Sequence, residues 1–270
     1  MSKQRFTVVA ALVVLTAGVA AAQPPADRPD VRSEFKAATA GLTATAASPS
    51  ATPAPGGGDP DSFGRNVVYD GLVQSGTVSF QSDCTPDPSN PPGPNDRCFV
   101  LNAAPAATSF DASDIGQLTI PGKSTHSLMC HWLSPIAFYD FVNPTASSGT
   151  ARFRLAPYVV VQNPVLSDPS LIDPTTGLPF NGQLTTGFAA NYQDAQTIDP
   201  GQSATRQFSE SRVCIAGFVS KQALTQNYGL TDAQAKEFFK KDSTLHFGVR
   251  GSVSFLDSGY VTYGLRVVGD

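Results

Sequence analysis

Leu245-His246-Phe247-Gly248-Val249-Arg250-Gly251-Ser252-Val253-Ser254-Phe255, continued after Leu256-Asp257-Ser258-Gly259-Tyr260 by Val261-Thr262-Tyr263-Gly264-Leu265-Arg266-Val267, is the stretch that decides the fold. Apolar and small residues occupy every second position, with histidine, arginine, serine and threonine between them. A period of two marks strands with one face buried and one face wet. If Leu256 to Tyr260 forms a type I turn with Gly259 in the left-handed bulge position, the two runs make an antiparallel hairpin. That register sets Ser252 against Gly264, Arg250 against Arg266, and His246 against Asp270.

The same strand-like reading extends toward the N-terminus. Val67 to Val73 and Thr77 to Phe80 are short runs separated by Ser75-Gly76, and Cys98 to Leu101 is placed beside the second of them as a hairpin partner. Leu118 to Ile120 stops at Pro121-Gly122. Ser124 to Leu133 reads as one strand and Ile136 to Val142 as the next, divided by Pro135. Ala151 to Val161 carries Arg152 and Arg154 on one face, with Ala151, Phe153 and Leu155 on the other. Val213 to Val219 is apolar on both faces, the pattern of a central strand. One region is helical: Ser220 and Gly229 bracket a short helix, and Thr231 with Gln234 forms a capping box for a second. Leu230 and Ala235 occupy staple positions, and Glu237 and Lys241 make an i,i+4 pair.

The chain of 270 residues holds 18 Lys and Arg against 22 Asp and Glu, a net charge of −4. Met1 to Ala22 reads as a signal peptide. Lys3 and Arg5 form its positive start, Phe6 to Val19 its apolar core, and Ala20-Ala21-Ala22 its cleavage site. Removing it leaves 16 cations against 22 anions, a charge of −6. An acidic chain with no Lys/Arg run does not suit nucleic acid or an anionic membrane. Residues 23–62 are rich in Ala, Thr, Ser, Pro and Gly and read as a disordered spacer. Residues 63–270 form the folded domain, with a helical insertion over 220–241.

An extracytoplasmic address, periplasmic or secreted, makes disulfides the expected state of the four cysteines. Cys84 with Cys98 closes a loop made almost wholly of turn residues, and Cys130 with Cys214 joins two apolar strands. The chain-entropy model gives about 3 kcal/mol for the short loop and roughly 4.5 kcal/mol for the long one. Trp132, two residues after Cys130, is placed against that second bridge. The resulting expectation is an all-β protein. It is a single antiparallel β-sandwich, immunoglobulin-like or jelly-roll-like, with roughly nine to eleven strands, a short two-helix insertion and two disulfides.

Nucleophile elbows, zinc-protease helices and phosphate loops are absent from the sequence. His126 and His131 lie five residues apart on a strand and face opposite ways, so they do not form a metal pair. Arg250 and Arg266, opposed on a wet face, need an anion between them, so Arg250, Arg266, Tyr260 and His246 become a candidate site for an acidic group of a glycan or partner. Prolines at 164, 169, 174 and 179 punctuate a long loop in which Asp168 and Asp173 offer oxygen ligands for calcium. The leading functional reading is a non-catalytic module that binds a carbohydrate or an envelope or surface protein. Two rival readings stand beside it. One is a secreted hydrolase of polysaccharide or peptide using Glu210 with Asp140 or Asp194. The other is a structural subunit of an extracellular assembly, marked by an exposed apolar patch.

Overall fold

Two long strands, each with a proline within it, organise the two largely antiparallel sheets of this protein. The structure, a computed structural model, describes residues 69–188, 190–213 and 217–269. The expected signal peptide, the spacer and Cys214 lie outside these residues. The strands are β1 (Tyr69–Gln74), β2 (Val78–Gln81), β3 (Arg97–Val100), β4 (Thr108–Ile120), β5 (Leu128–Val142), β6 (Gly149–Gln162), β7 (Gln183–Gly187), β8 (Tyr192–Ile198), β9 (Ser203–Ser209), β10 (Arg212–Val213), β11 (Val219–Ser220), β12 (Ser243–Ser254) and β13 (Leu256–Gly269). Helices α1 (Lys221–Gln226) and α2 (Asp232–Lys240) come between β11 and β12. In the eight-stranded sheet, β13 lies between β5 and the short strands β1 and β2, and β5 carries β9, β10 and β11 on its far side. In the five-stranded sheet, β12 lies between β4 and β6, and β6 carries β7 and β8.

β5 runs straight through Pro135, where the sequence pattern marked a break. A proline removes a ladder donor, so it survives in a strand only where that donor has no partner. The Pro135 carbonyl accepts from Glu210 N (3.4 Å), which directs the donor-less side of Pro135 to the gap between β9 and β10. β6 repeats the device. The Pro157 carbonyl accepts from Phe188 N (3.1 Å) at the gap between β7 and β8. Both strands also end in Asn-Pro. Asn143 is fully buried and donates to the carbonyls of Ser147 (2.8 Å) and Ile198 (3.0 Å). Asn163 donates to the carbonyl of Phe238 (3.0 Å) and to Ser243 Oγ (2.9 Å). Each amide thereby satisfies buried backbone groups that a loop would otherwise strand.

Three expectations change. The run at 245–267 is not a hairpin: β12 belongs to one sheet and β13 to the other, and the chain turns the corner between them at Phe255, whose φ is 55°. A bent strand that switches sheets is a known way to make such a corner. Phe255 and Leu256 are consecutive and both buried, because both sheets converge on them. Gly149 allows the approach, since a Cβ there would lie 2.3 Å from the Phe255 ring. Second, β2 and β3 are parallel, Val78 beside Arg97 through Gln81 beside Val100. The Cys84–Cys98 disulfide (Cα–Cα 5.7 Å) therefore closes a crossover loop rather than stapling a hairpin. Third, Val213 and Val219 belong to two short strands paired to the edge of β5, and Val213 is 56% exposed. One disulfide is thus described; Cys130 is buried within β5, and its expected partner Cys214 lies outside the described residues.

The helical signals hold. Ser220 caps α1, and Thr231 with Gln234 closes a reciprocal capping box on α2. Leu230, Ala235, Phe238 and Phe239 are buried, and Lys241 Nζ stands 3.5 Å from Glu237. The inner faces of the two sheets share one core. Phe80 meets Phe110 at 4.8 Å, and Tyr139 stacks on Phe153 at 4.1 Å. Among the described residues, no helix is long and apolar enough to cross a membrane.

Candidate functional site

Strand alternation gives each sheet an outer face, and the two outer faces differ in chemistry. In β5, Leu133, Ala137, Tyr139 and Phe141 point into the core. Trp132, Ser134, Ile136, Phe138 and Asp140 therefore point outward. Trp132 lies between Val213 and Arg266, Ile136 between Ser209 and Thr262, and Phe138 between Gln207 and Tyr260. The Phe138 and Tyr260 rings are 5.3 Å apart and tilted by 31°. Among the described residues, seven large hydrophobic side chains are exposed. Val100, Trp132, Ile136, Val213 and Tyr260, five of the seven, lie on this one face. Small polar groups separate them, including Ser134 and Ser211, whose hydroxyls are 3.1 Å apart.

The outer face of the five-stranded sheet carries arginine instead. Arg154 of β6 lies opposite Ser252 of β12 and Gln193 of β8. Arg152 lies one step along the same face, opposite Ser254 and Ala195. Arg250 lies between Asp111 and Ala156. Its guanidinium carbon is 5.5 Å from the centre of the Tyr158 ring, a cation–π distance. That ring occupies the space over Gly248, where a Cβ would lie 2.3 Å from it. The Tyr158 hydroxyl donates to Asp111 Oδ1 (2.6 Å), and burial, more than this bond, pushes its pKa up. His246 Nδ1 is 2.8 Å from Asp114 Oδ1.

The four residues read from sequence as one site are therefore divided. Tyr260 and Arg266 lie on the aromatic face, and Arg250 and His246 on the arginine face. Arg266 is opposite Trp132, and Arg250 is not opposite it in any register. Trp132 faces outward at 38% exposure, opposite Val213.

Each of the three candidate catalytic carboxylates has a partner of its own. Asp140 points outward and lies 3.5 Å from Ser258 Oγ. Asp194 accepts from the Tyr139 hydroxyl at 2.8 Å, and the Tyr192 and Tyr139 hydroxyls are also 2.8 Å apart. Burial, with the Asp194 charge adding to it, pushes both tyrosine hydroxyls up, so they remain protonated donors between the sheets. Glu210 is held by Arg212 at 2.6 Å.

Asp168 and Asp173 each close their own turn, accepting from Ser170 N (2.9 Å) and Thr175 N (2.8 Å) respectively. Hydrogen bonds from the Ser170 and Thr175 hydroxyls to the same Oδ1 atoms, more than those from the backbone amides, lower both carboxyl pKa values. Among the described residues no group of three His, Cys, Asp or Glu is placed to hold a metal ion. An open hollow of about 550 Å³ lies beside Asn163, Asn181 and Thr244. Its one carboxylate, Asp242, is engaged by Gly122 N (2.7 Å).

Sequence reasoning missed the outward aromatics. Trp132, Ile136 and Phe138 alternate with core residues, so β5 is apolar on both faces, a pattern normally read as full burial.

No family model matches the chain, and no curated protein resembles it. Among solved structures, the infectious bursal disease virus VP2 subviral particle matches at 9% identity and a TM-score of 0.24, covering 74% of this chain and 32% of that one. The Gx strain of the same virus matches at 9% identity and a TM-score of 0.23, covering 82% and 37%. The chain spans about a third of the length of these proteins. Superpositions this loose say nothing about activity.

Proposed function

We propose that this chain is a non-catalytic, extracytoplasmic β-sandwich module that binds a surface or envelope protein through the outer face of its eight-stranded sheet. The supporting observation is the collection of Val100, Trp132, Ile136, Val213 and Tyr260 on that one face. Exposed apolar side chains scattered singly need no explanation, whereas here Trp132 lies beside Val213 and Phe138 beside Tyr260 on one face, and apolar side chains gathered in this way mark an interaction surface. Tryptophan and tyrosine are also the residues most enriched among binding hot spots.

A protein partner fits this face better than a glycan. A sugar ring stacks on Trp132, Tyr260 or Phe138, but it gains little from Ile136, Val213 and Val100, which bury well only against other apolar side chains. A hydrolase reading loses its footing because Glu210, Asp140 and Asp194 are each engaged separately. The address rests on the signal-peptide reading of Met1 to Ala22 and on the Cys84–Cys98 disulfide.

The test is photo-crosslinking from the face itself. A benzoylphenylalanine at position 260 should give a discrete adduct with a protein of the envelope fraction. The same group at position 197, outward on the other sheet, should give none. An adduct with a second copy of the chain would move the assignment to the structural-subunit reading. Equal labelling from both positions would end the proposal.

A further inference from the structure

We propose that the outer face of the five-stranded sheet is a second binding site, for an acidic polysaccharide. This site is independent of the aromatic face. Among the described residues, neither Arg152, Arg154 nor Arg250 has a carboxylate within ion-pairing distance. Elsewhere in the molecule, arginines are engaged. Arg206 stands 3.6 Å from Asp194, Arg212 pairs with Glu210, and Arg97 donates to the carbonyls of Pro94, Asp96 and Asp114. A chain with net charge −4 has carboxylates to spare, yet it leaves three guanidinium groups together without one.

The face also carries two carboxylates, each hydrogen-bonded to another group. Asp111 is opposite Arg250 in register but accepts from the Tyr158 hydroxyl, and Asp114 is engaged by His246. Arg250 is steadied by the Tyr158 ring, which lowers the ordering cost of a bound anion.

The shape of the face points to a polymer. One trough of about 260 Å³ is lined by Arg154, Arg250, Ser252, Gln193 and Asn191. A second, about 270 Å³, is lined by Arg152, Arg154, Ser252, Ser254 and Thr150. The two share Arg154 and Ser252, so they adjoin along the strands. Arg152 and Arg154 are two residues apart on one strand, a spacing of roughly 7 Å at the rise of a β-strand. Cations set in a line beside serine, threonine and glutamine suit an extended chain with repeated carboxylates and hydroxyls; a single small anion needs donors that converge on one point. Arginine's planar fork also matches carboxylate geometry. Single-stranded nucleic acid needs exposed rings on which bases stack; Tyr158 is 8% exposed and covered by Arg250, and Tyr192, which also lines the first trough, is already stacked on Phe208 at 3.7 Å.

The experiment titrates the full oxidised chain with polygalacturonate in low salt, with dextran and an oligothymidine strand as comparators. Saturable binding to polygalacturonate, weakened by salt and absent with dextran, is expected. Arg154→Gln should weaken it about tenfold, the loss of one charge-assisted hydrogen-bond pair. The triple Arg152→Gln, Arg154→Gln, Arg250→Gln variant should abolish binding while melting like the wild type. The corresponding triple lysine variant should recover part of it. Equal binding by the triple glutamine variant, equal binding of dextran, tighter binding of the oligothymidine, or no binding at all overturns the proposal. Trp132 emission should stay unchanged throughout, so failure here is separable from failure of the aromatic face.

Discussion

The two outer faces of this molecule rest on the same core and use the same strand geometry, yet one presents rings and aliphatic side chains and the other presents charge. On the eight-stranded sheet, Trp132, Ile136, Phe138 and Tyr260 lie where a solvated strand would carry polar residues. On the five-stranded sheet, Arg152, Arg154 and Arg250 take the same outward positions. The difference shows that burial alone does not explain the surface. The core needs only the inward residues, so the outward sets are free to serve recognition. It also separates two kinds of energy. Apolar area gives affinity by leaving water, whereas exposed charge gives steering and salt dependence with little effect on stability.

Several substitutions test that division, beginning with the largest effect. Phe153→Ala, beneath both faces at the stack with Tyr139, should cost about 4 kcal/mol in denaturant unfolding and weaken both faces together. A loss confined to one face would mean that the sheets do not share their core.

His131 comes next. It lies inside the aromatic face, edge-on to Phe188 at 4.5 Å, and burial pulls its pKa down to about 4 from an ordinary 6.5. The unfolded chain takes this proton near 6.5, whereas the native chain refuses it until about 4. Stability should therefore be complete above pH 6.5 and fall as the pH drops toward 4, by up to about 3 kcal/mol at 1.36 kcal/mol per unit. His131→Phe should flatten that slope relative to the wild type, and parallel pH profiles would contradict the assignment.

Trp132→Ala with Tyr260→Ala should weaken partner binding by about 2 kcal/mol or more. The melting temperature should fall by less than for a core truncation, since the two side chains are 38% and 42% exposed. Tyr263→Phe works the other way. Its hydroxyl is buried between the sheets with no hydrogen-bond partner among the described residues, so its removal should raise stability by about 1 kcal/mol. The smallest change belongs to Arg152→Gln and Arg154→Gln, which should each leave unfolding within about 0.5 kcal/mol of the wild type.

Much of the scaffold was legible in the sequence, because its signals are local. Thr231 with Gln234, the i,i+4 pair Glu237–Lys241 and the alternation of Ala151 to Val161 each act within a few residues. What escaped were the facts decided by distant strands. Alternation through 245–267 is equally consistent with a hairpin and with a corner between two sheets; the adjacent pair Phe255-Leu256 was the one local sign that two apolar surfaces meet there. Parallel pairing of β2 and β3 was hidden because strand composition does not encode direction in so short a run. Pro135 seemed to end a strand because the gap between β9 and β10 that tolerates it lies some 75 residues further along the chain. The candidate site is divided for the same reason: Arg250 and Arg266 were joined by an assumed register, and in the observed register they belong to different faces.

The most direct measurement uses Trp132, the single tryptophan of the chain, which reports on the aromatic face without any label. Its emission would be followed while the protein is titrated with detergent-solubilised envelope proteins and, separately, with polygalacturonate. A saturating blue shift with the protein fraction alone, lost in the Tyr260→Ala variant, is the result predicted. An emission that stays put while the protein fraction binds, or that shifts with the polysaccharide, would contradict the assignment of the aromatic face to a protein partner.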